Sequence, residues 1–157
     1  MIAQPGLRDA SRLHFAILDE EDLGVMSAHL QDADLKLGDM AFLPAARCFA
    51  MVACRVDWDS FASGRPARRE AGFHFTHVRK ARRIGFEQND PELALQLLAI
   101  SFSPSEPPGG DVLLTFAGGR MIKLEVECIE AEMRDLGPCW AVDHCPHHDL
   151  DDMRAAS

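Results

Sequence analysis

Residues 111–136, DVLLTFAGGRMIKLEVECIEAEMRDL, contain the pattern that decides the fold. An apolar run at 112–116 predicts a strand, and apolar and polar side chains alternate at 121–128, as in a strand with one buried face. Gly118-Gly119 between these runs supplies the positive backbone angles that a tight hairpin needs. The acidic run at about 129–136 predicts a short helix after the hairpin.

The first half of the chain predicts a strand, a helix and three further strands. Four acids at 19–22 mark the helix start, because exposed backbone N–H groups and the helix dipole favour negative charge there. Apolar side chains follow at helical spacing, at Leu23, Met26 and Leu30. The four strand patterns lie at 13–18, 35–37, 40–43 and 48–58.

The second half predicts a similar order of elements after a long loop at 60–72. Alternating side chains at 73–86 predict a strand. Asn89-Asp90-Pro91 combines a cap residue with a first-turn proline and therefore predicts a helix with apolar residues on one side at 93–98. An extended stretch at 99–102 and a turn at 103–110 lead into the hairpin.

Together these elements predict one α+β domain with a mainly antiparallel sheet and short helices. A chain of 157 residues is long enough to bury a single core. The shared order of elements suggests internal duplication of a βαβββ unit, with pseudo-repeats at about 13–59 and 73–136. We expect a flexible leader at 1–12, the domain at 13–146 and a polar tail at 147–157.

Composition narrows the class of protein. Hydrophobic residues make up 47% and charged residues 26% of the chain, which is typical of a globular protein. No apolar run approaches the length of a membrane span and the N-terminus lacks the layout of a secretion signal, so we expect a cytoplasmic protein with no membrane partner. Five cysteines, three of them near strand patterns, favour buried thiols over a disulfide framework.

Positive charge is concentrated in one segment of this otherwise acidic chain, whose net charge is −9. Residues 65–83 contain seven basic residues and one acid, a local balance of +6. Arginine offers a planar donor fork for phosphate or carboxylate, so the segment is a candidate site for RNA or an acidic protein surface. Two structural alternatives are a solvated edge strand and internal pairing with acids. The candidate residues are Arg65, Arg68, Arg69, Arg79, Lys80, Arg82 and Arg83.

The C-terminus holds the densest set of potential metal ligands. Thiolate and imidazole groups suit zinc or copper, but the spacing fits no standard finger. The alternative is a polar tail with incidental histidines, and we assign no cofactor. The residues concerned are Cys139, His144, Cys145, His147 and His148.

Three stretches resemble a small bacterial family catalogued as domain of unknown function 2948. They are EDLGVMSAHLQDADLKLGDMAFLP at 21–44, the basic segment that follows, and FAGGRMIKLEVECIEAEMRDLGPCWA at 116–141. The resemblance runs from about Leu13 to Pro146. It implies an intracellular bacterial protein and brings no activity, cofactor or catalytic residue with it.

These observations favour a non-catalytic binding or regulatory module that uses the basic segment for an anionic partner. No cysteine, carboxylate pair or glycine-rich loop forms a catalytic motif. One alternative is a small metal- or thiol-dependent enzyme with a site near Cys139 to His148. Another is a structural subunit of a homodimer, joined through an exposed edge strand.

Overall fold

Ten β-strands and one α-helix have their bounds within the residues that the computed structural model describes, 13–58, 64 and 67–139. The helix, α1, spans Glu20–Leu30, and a 3-10 turn spans Leu37–Asp39. The strands are β1 (His14–Ile17), β2 (Ala33–Lys36), β3 (Met40–Leu43), β4 (Cys48–Val56), β5 (Arg68–Phe75), β6 (Val78–Ile84), β7 (Ala94–Pro104), β8 (Gly110–Phe116), β9 (Arg120–Val126) and β10 (Ala131–Pro138).

All ten strands belong to one antiparallel sheet. Nine follow the order β1-β10-β5-β4-β2-β7-β8-β9-β6, and β3 pairs with β4 outside this order. Strand β4 pairs with β5 along one side, while β3 and β2 share its other side. Strand β6, at the end of this order, begins close to the start of β4. There the backbone N–H of Val78 donates to the carbonyl of Arg47 at 3.0 Å. Among the described residues, β3 pairs only with β4 and β6 only with β9, so each has one edge without a strand partner, and on β6 this free edge begins after Val78.

The core lies between the inner face of this curved sheet and α1. Alternate residues of β8 and β9 are buried, as the period of two requires. The helix starts with Asp19, whose side chain accepts a hydrogen bond from the backbone N–H of Asp22 at 2.8 Å. Leu23, Met26 and Leu30 form its buried side. The predicted hairpin, first helix and first-half strands are therefore confirmed.

Two predicted helices are wrong, because their residues form strands. Residues 94–104 form β7 between β2 and β8, with Leu95, Leu97 and Ile100 buried. Residues 131–138 form β10 between β1 and β5, and their burial alternates strictly. The acids of this run follow the strand period, since Asp135 is buried and Glu132 lies on the opposite face. The internal duplication stays a prediction, although its second helix is absent from the described residues.

The boundaries around the basic segment also differ from the prediction. Strand β5 begins at Arg68, inside the loop that we predicted at 60–72. The predicted strand at 73–86 is two strands, β5 and β6, separated by a turn at Thr76-His77. His77 occupies the left-handed region with φ 59°, which ends β5 and redirects the chain towards β9.

Two ion pairs, Arg55 with Asp135 and Arg69 with Asp57, form what we call the polar layer, and three of these four residues are buried. The Arg55 guanidinium donates from Nε and Nη2 to the two carboxylate oxygens of Asp135, each at 2.8 Å. Both side chains are almost fully buried. Ala71 of β5 is opposite Asp135 in the sheet register, and Ala53 of β4 is opposite Ala71, so only small side chains lie between the two strands that carry the pair. The pair links β4 to β10 across β5, and the backbone N–H of Leu13 also donates to Asp135 at 2.8 Å.

Two cysteines form a disulfide, contrary to our expectation of five thiols. Cys54 and Cys139 are bonded although they are 85 residues apart in sequence. Cys54 is one of the residues of β4 that face away from the core, and Cys139 directly follows β10. Because β5 lies between β4 and β10, the disulfide crosses β5. Among the described cysteines, Cys48 and Cys128 are free.

We expect Asp135→Asn to destabilise the fold strongly, because it leaves the buried Arg55 guanidinium without a compensating charge. Breaking a buried pair in this way costs about 3–5 kcal/mol. Urea unfolding without reductant measures the change in the free energy of unfolding.

Arg47→Gln is the control, since it removes the exposed Arg47–Glu127 pair and should cost about 0–1 kcal/mol. In the double variant Arg55→Met/Asp135→Leu, apolar contacts replace both charges, and much of the stability should return. Equal losses for Asp135→Asn and Arg47→Gln would contradict the structural role of the polar layer.

Candidate functional site

The structure divides the basic segment into two groups with different surroundings. Arg68 pairs with Asp34 of β2, and Arg69 Nε donates to Asp57 Oδ2 at 2.9 Å. These two arginines are only about one fifth exposed, and they link β5 to β2 and to the residue after β4. Internal pairing with acids therefore accounts for both of them. Arg65 lies outside the described residues.

The second group lies on β6 and faces solvent. Arg79, Lys80, Arg82 and Arg83 are all exposed. Arg83 donates to Asn89 Oδ1 at 2.8 Å, which fixes its guanidinium at the end of the strand. Within residues 13–58, 64 and 67–139, the other three form no ion pair that would neutralise them. Strand β6 therefore presents exposed positive charge along an edge of the sheet, with no acid within ion-pair distance of Arg79, Lys80 or Arg82 among the described residues.

The register between β6 and β9 adds a second electrostatic feature. Arg82 is directly opposite Lys123, and Lys80 is opposite Glu125. Directly opposed residues of an antiparallel pair point to the same face, and like charges in this position repel. Lys123 Nζ is 3.5 Å from Asp111 Oδ2 on β8, so this lysine has an acidic partner. The residue opposite Arg82 is Lys123 itself, so Arg82 has no acid across the strand pair. An anion bound next to Arg82 would relieve this repulsion.

A crevice of about 220 Å³ lies between the free edges of β3 and β6. Its lining combines apolar residues with two arginines. The lining residues are Met40, Ala41, Phe42, Phe49, Ala81, Arg82, Arg83 and Ile122. Strand β6 thus combines a free backbone edge, a cationic surface and an adjacent apolar depression.

A larger groove of about 470 Å³ crosses the outer face of β3, β4, β5 and β10. Glu132 lies in it between two imidazoles, with His14 Nε2 at 2.5 Å and His74 Nε2 at 3.8 Å. The hydrogen bond from His14 is the main cause that lowers the pKa of Glu132, and nearby positive charge adds to it. This carboxylate therefore has a hydrogen-bond partner, His14, within the protein. Sequence reasoning did not identify the groove, because its residues come from four strands.

Sequence reasoning also missed a compact cluster where two turns meet. His77 comes from the β5–β6 turn, while Cys128 and Glu130 come from the β9–β10 turn. One ligand atom from each of the three lies within 4.8 Å of the other two. His77 Nε2 is 2.8 Å from Glu130 Oε1. The only sequence sign was the Glu-Cys-Ile-Glu run at 127–130, and nothing in the sequence placed a histidine beside it.

The C-terminal metal set stays a prediction. Cys139 forms the disulfide with Cys54, so its sulfur would need reduction before it could act as a thiolate ligand. His144, Cys145, His147 and His148 lie outside the described residues.

Fold and site together define an antiparallel β-sheet protein with a cationic edge strand. The chain belongs to the family described as protein of unknown function DUF2948, whose model matches residues 13–148. This match confirms the resemblance seen in the sequence. Neither the curated proteins nor the solved structures contain a significant match to the chain. The described residues include no helix with the length and apolar character that a membrane crossing requires.

We expect the Cys128 thiol to ionise at higher pH than an ordinary cysteine. Burial is the largest cause that raises its pKa, and the carboxylates of Glu130 and Glu127 add to it. At a given pH near 8 the thiolate fraction is therefore reduced, and alkylation by iodoacetamide should be slow. Glu130→Gln removes one negative charge, which should move the midpoint of the pH–rate profile to lower pH.

Peptide mass spectrometry can follow alkylation of Cys128 with Cys48 as an internal reference. Glu70→Gln removes an exposed acid from the far end of β5 and serves as the matched control. An unchanged midpoint in Glu130→Gln, or an equal shift in Glu70→Gln, would contradict the electrostatic origin of the raised pKa.

Proposed function

We propose that the protein is a non-catalytic binding module that holds an anionic partner on β6. The observation that carries this proposal is the exposed positive charge of Arg79, Lys80 and Arg82, which form no ion pair within the described part of the chain. On the surface of an acidic protein, positive and negative side chains are usually interspersed. A strand that exposes several cations without ion-pair partners therefore favours an external anionic ligand.

An acidic polypeptide suits this strand better than RNA. The free edge of β6 offers backbone N–H and C=O groups, to which an extended peptide can add as a further strand. Carboxylates on the added strand would then face the cations of β6. Single-stranded RNA instead requires exposed aromatic faces for stacking. Next to β6, Phe86 packs against Phe116 in a T-shaped contact with ring centroids 6.3 Å apart, and both Phe86 and Phe42 are partly buried, which limits the aromatic surface for stacking.

Self-association through β6 is less favourable than binding an acidic peptide. Two copies of β6 pairing edge to edge would bring Arg79, Lys80 and Arg82 close to their equivalents. Like charges across a strand pair repel, which disfavours a homodimer at this edge. The cations that repel a second copy would attract an acidic strand.

We expect Arg82→Glu to weaken binding of an acidic peptide by about tenfold or more. The substitution replaces an exposed positive charge on β6 with a negative charge, which repels the carboxylates of the peptide. A fluorescent peptide of alternating glutamate and valine serves as the probe, and anisotropy measures its affinity. Affinity of the natural protein should fall as salt rises from about 0.05 to 0.5 M, because salt screens exposed charges.

Arg134→Glu is the matched control, because it makes the same charge change at an exposed position of β10 and should leave affinity within about twofold. A single-stranded RNA oligonucleotide is titrated in parallel. Tighter binding of RNA than of peptide, with a salt slope that decreases in Arg82→Glu, would assign nucleic acid as the partner class. Equal effects of the two charge reversals on both probes would remove β6 as the site.

A further inference from the structure

The turn cluster of His77, Cys128 and Glu130 has the composition of a metal site. It combines an imidazole, a thiol and a carboxylate, whose ligand atoms lie within 4.8 Å of one another. Zinc binds these three groups at about 2.0–2.3 Å, which requires its ligand atoms to be less than about 4 Å apart. The ligand atoms of this cluster, at up to 4.8 Å from one another, are close to that spacing.

Backbone hydrogen bonds hold the two turns together in both directions. The N–H of Glu127 donates to the carbonyl of His77 at 3.0 Å, and the N–H of Thr76 donates to the carbonyl of Glu130 at 2.9 Å. The hydroxyl of Thr76 donates to the same carbonyl at 3.3 Å. These bonds fix the Cα positions of the three ligands before any ion arrives, which lowers the entropy cost of binding.

The imidazole ring of His77 lies between two carboxylates. Its Nε2 points to Glu130, and its Nδ1 is 3.7 Å from Glu127 Oε1. A carboxylate beside the second ring nitrogen is the usual partner of a histidine ligand, since it orients the ring. Arg47 Nη1 donates to Glu127 Oε2 at 3.0 Å and thereby holds this carboxylate in place.

We propose that His77, Cys128 and Glu130 bind a divalent transition metal ion, with zinc as the best match. Thiolate and imidazole select zinc over magnesium or calcium, which prefer oxygen ligands. One thiolate and one carboxylate neutralise the two charges of the ion. Three protein ligands leave a fourth position open for water or for a ligand from a partner. This site is separate from the C-terminal set and independent of anion binding on β6.

The test uses cobalt as a spectroscopic substitute for zinc in the full chain, purified without a tag and dialysed against a chelator. Reductant is omitted so that Cys54 and Cys139 stay bonded. A bound thiolate gives cobalt an intense charge-transfer absorption that oxygen and nitrogen ligands do not give. We expect one equivalent of cobalt to produce this absorption, and zinc to displace it.

Three variants test the ligands. Cys128→Ser should abolish the absorption, and Glu130→Gln should weaken binding by about tenfold or more. His77→Asn should do the same while keeping the left-handed backbone, which asparagine tolerates. Cys145→Ser is the matched control and should leave cobalt binding unchanged.

Absence of the absorption in the natural protein would overturn the proposal, and so would its persistence in Cys128→Ser. Its loss in Cys145→Ser would instead assign the metal to the C-terminal cluster. Thermal unfolding gives an independent readout, since an ion that binds only the folded state raises the midpoint. Zinc should raise the midpoint of the natural protein and of Cys145→Ser. If Cys128→Ser does not fold, Glu130→Gln and His77→Asn decide the outcome.

Discussion

The buried pair between Arg55 and Asp135 is the interaction on which the arrangement of the sheet depends. It joins β4 to β10 across β5, and Asp135 also binds the backbone where β1 begins. Two charges that leave water together are stable only when their hydrogen bonds are satisfied, and here both carboxylate oxygens and three guanidinium nitrogens have partners. A shift of one residue in either strand would turn one charge to the other face and leave its partner buried alone, so the pair fixes the register.

The elements that were predictable from the sequence are those whose apolar residues keep a single period. The hairpin and α1 are of this kind. The run at 131–138 contains Glu132, Arg134 and Asp135, and its buried aspartate interrupts the apolar alternation that identifies a strand. The helix predicted from Asn89-Asp90-Pro91 failed because local cap chemistry cannot reveal that β2 and β8 pair with both edges of the following segment. Tertiary pairing overrode local propensity in both cases.

The candidate site shows a similar limit. The sequence contained the seven basic residues, but their roles depend on strand partners far away in the chain. Arg68 forms an ion pair with Asp34 on β2, and Arg69 forms one with Asp57, the residue after β4. Strand β6 lies at the end of the sheet order, so no further strand among the described residues supplies an acid on its outer edge. The turn cluster was harder still to predict. His77 and Glu130 are 53 residues apart in the sequence, and the pairing of β6 with β9 brings them together. Chemistry that forms between distant turns leaves almost no mark in a single sequence.

The disulfide between Cys54 and Cys139 changes how this molecule would respond to mechanical load. It closes a covalent ring that contains β5 to β10, more than half of the 157 residues. A pulling force applied to the two ends of the chain bypasses this ring, so only the segments outside it can be extended. The cationic strand and the turn cluster both lie inside the ring. They are therefore shielded from tension that would peel α1 and the first strands away from the sheet.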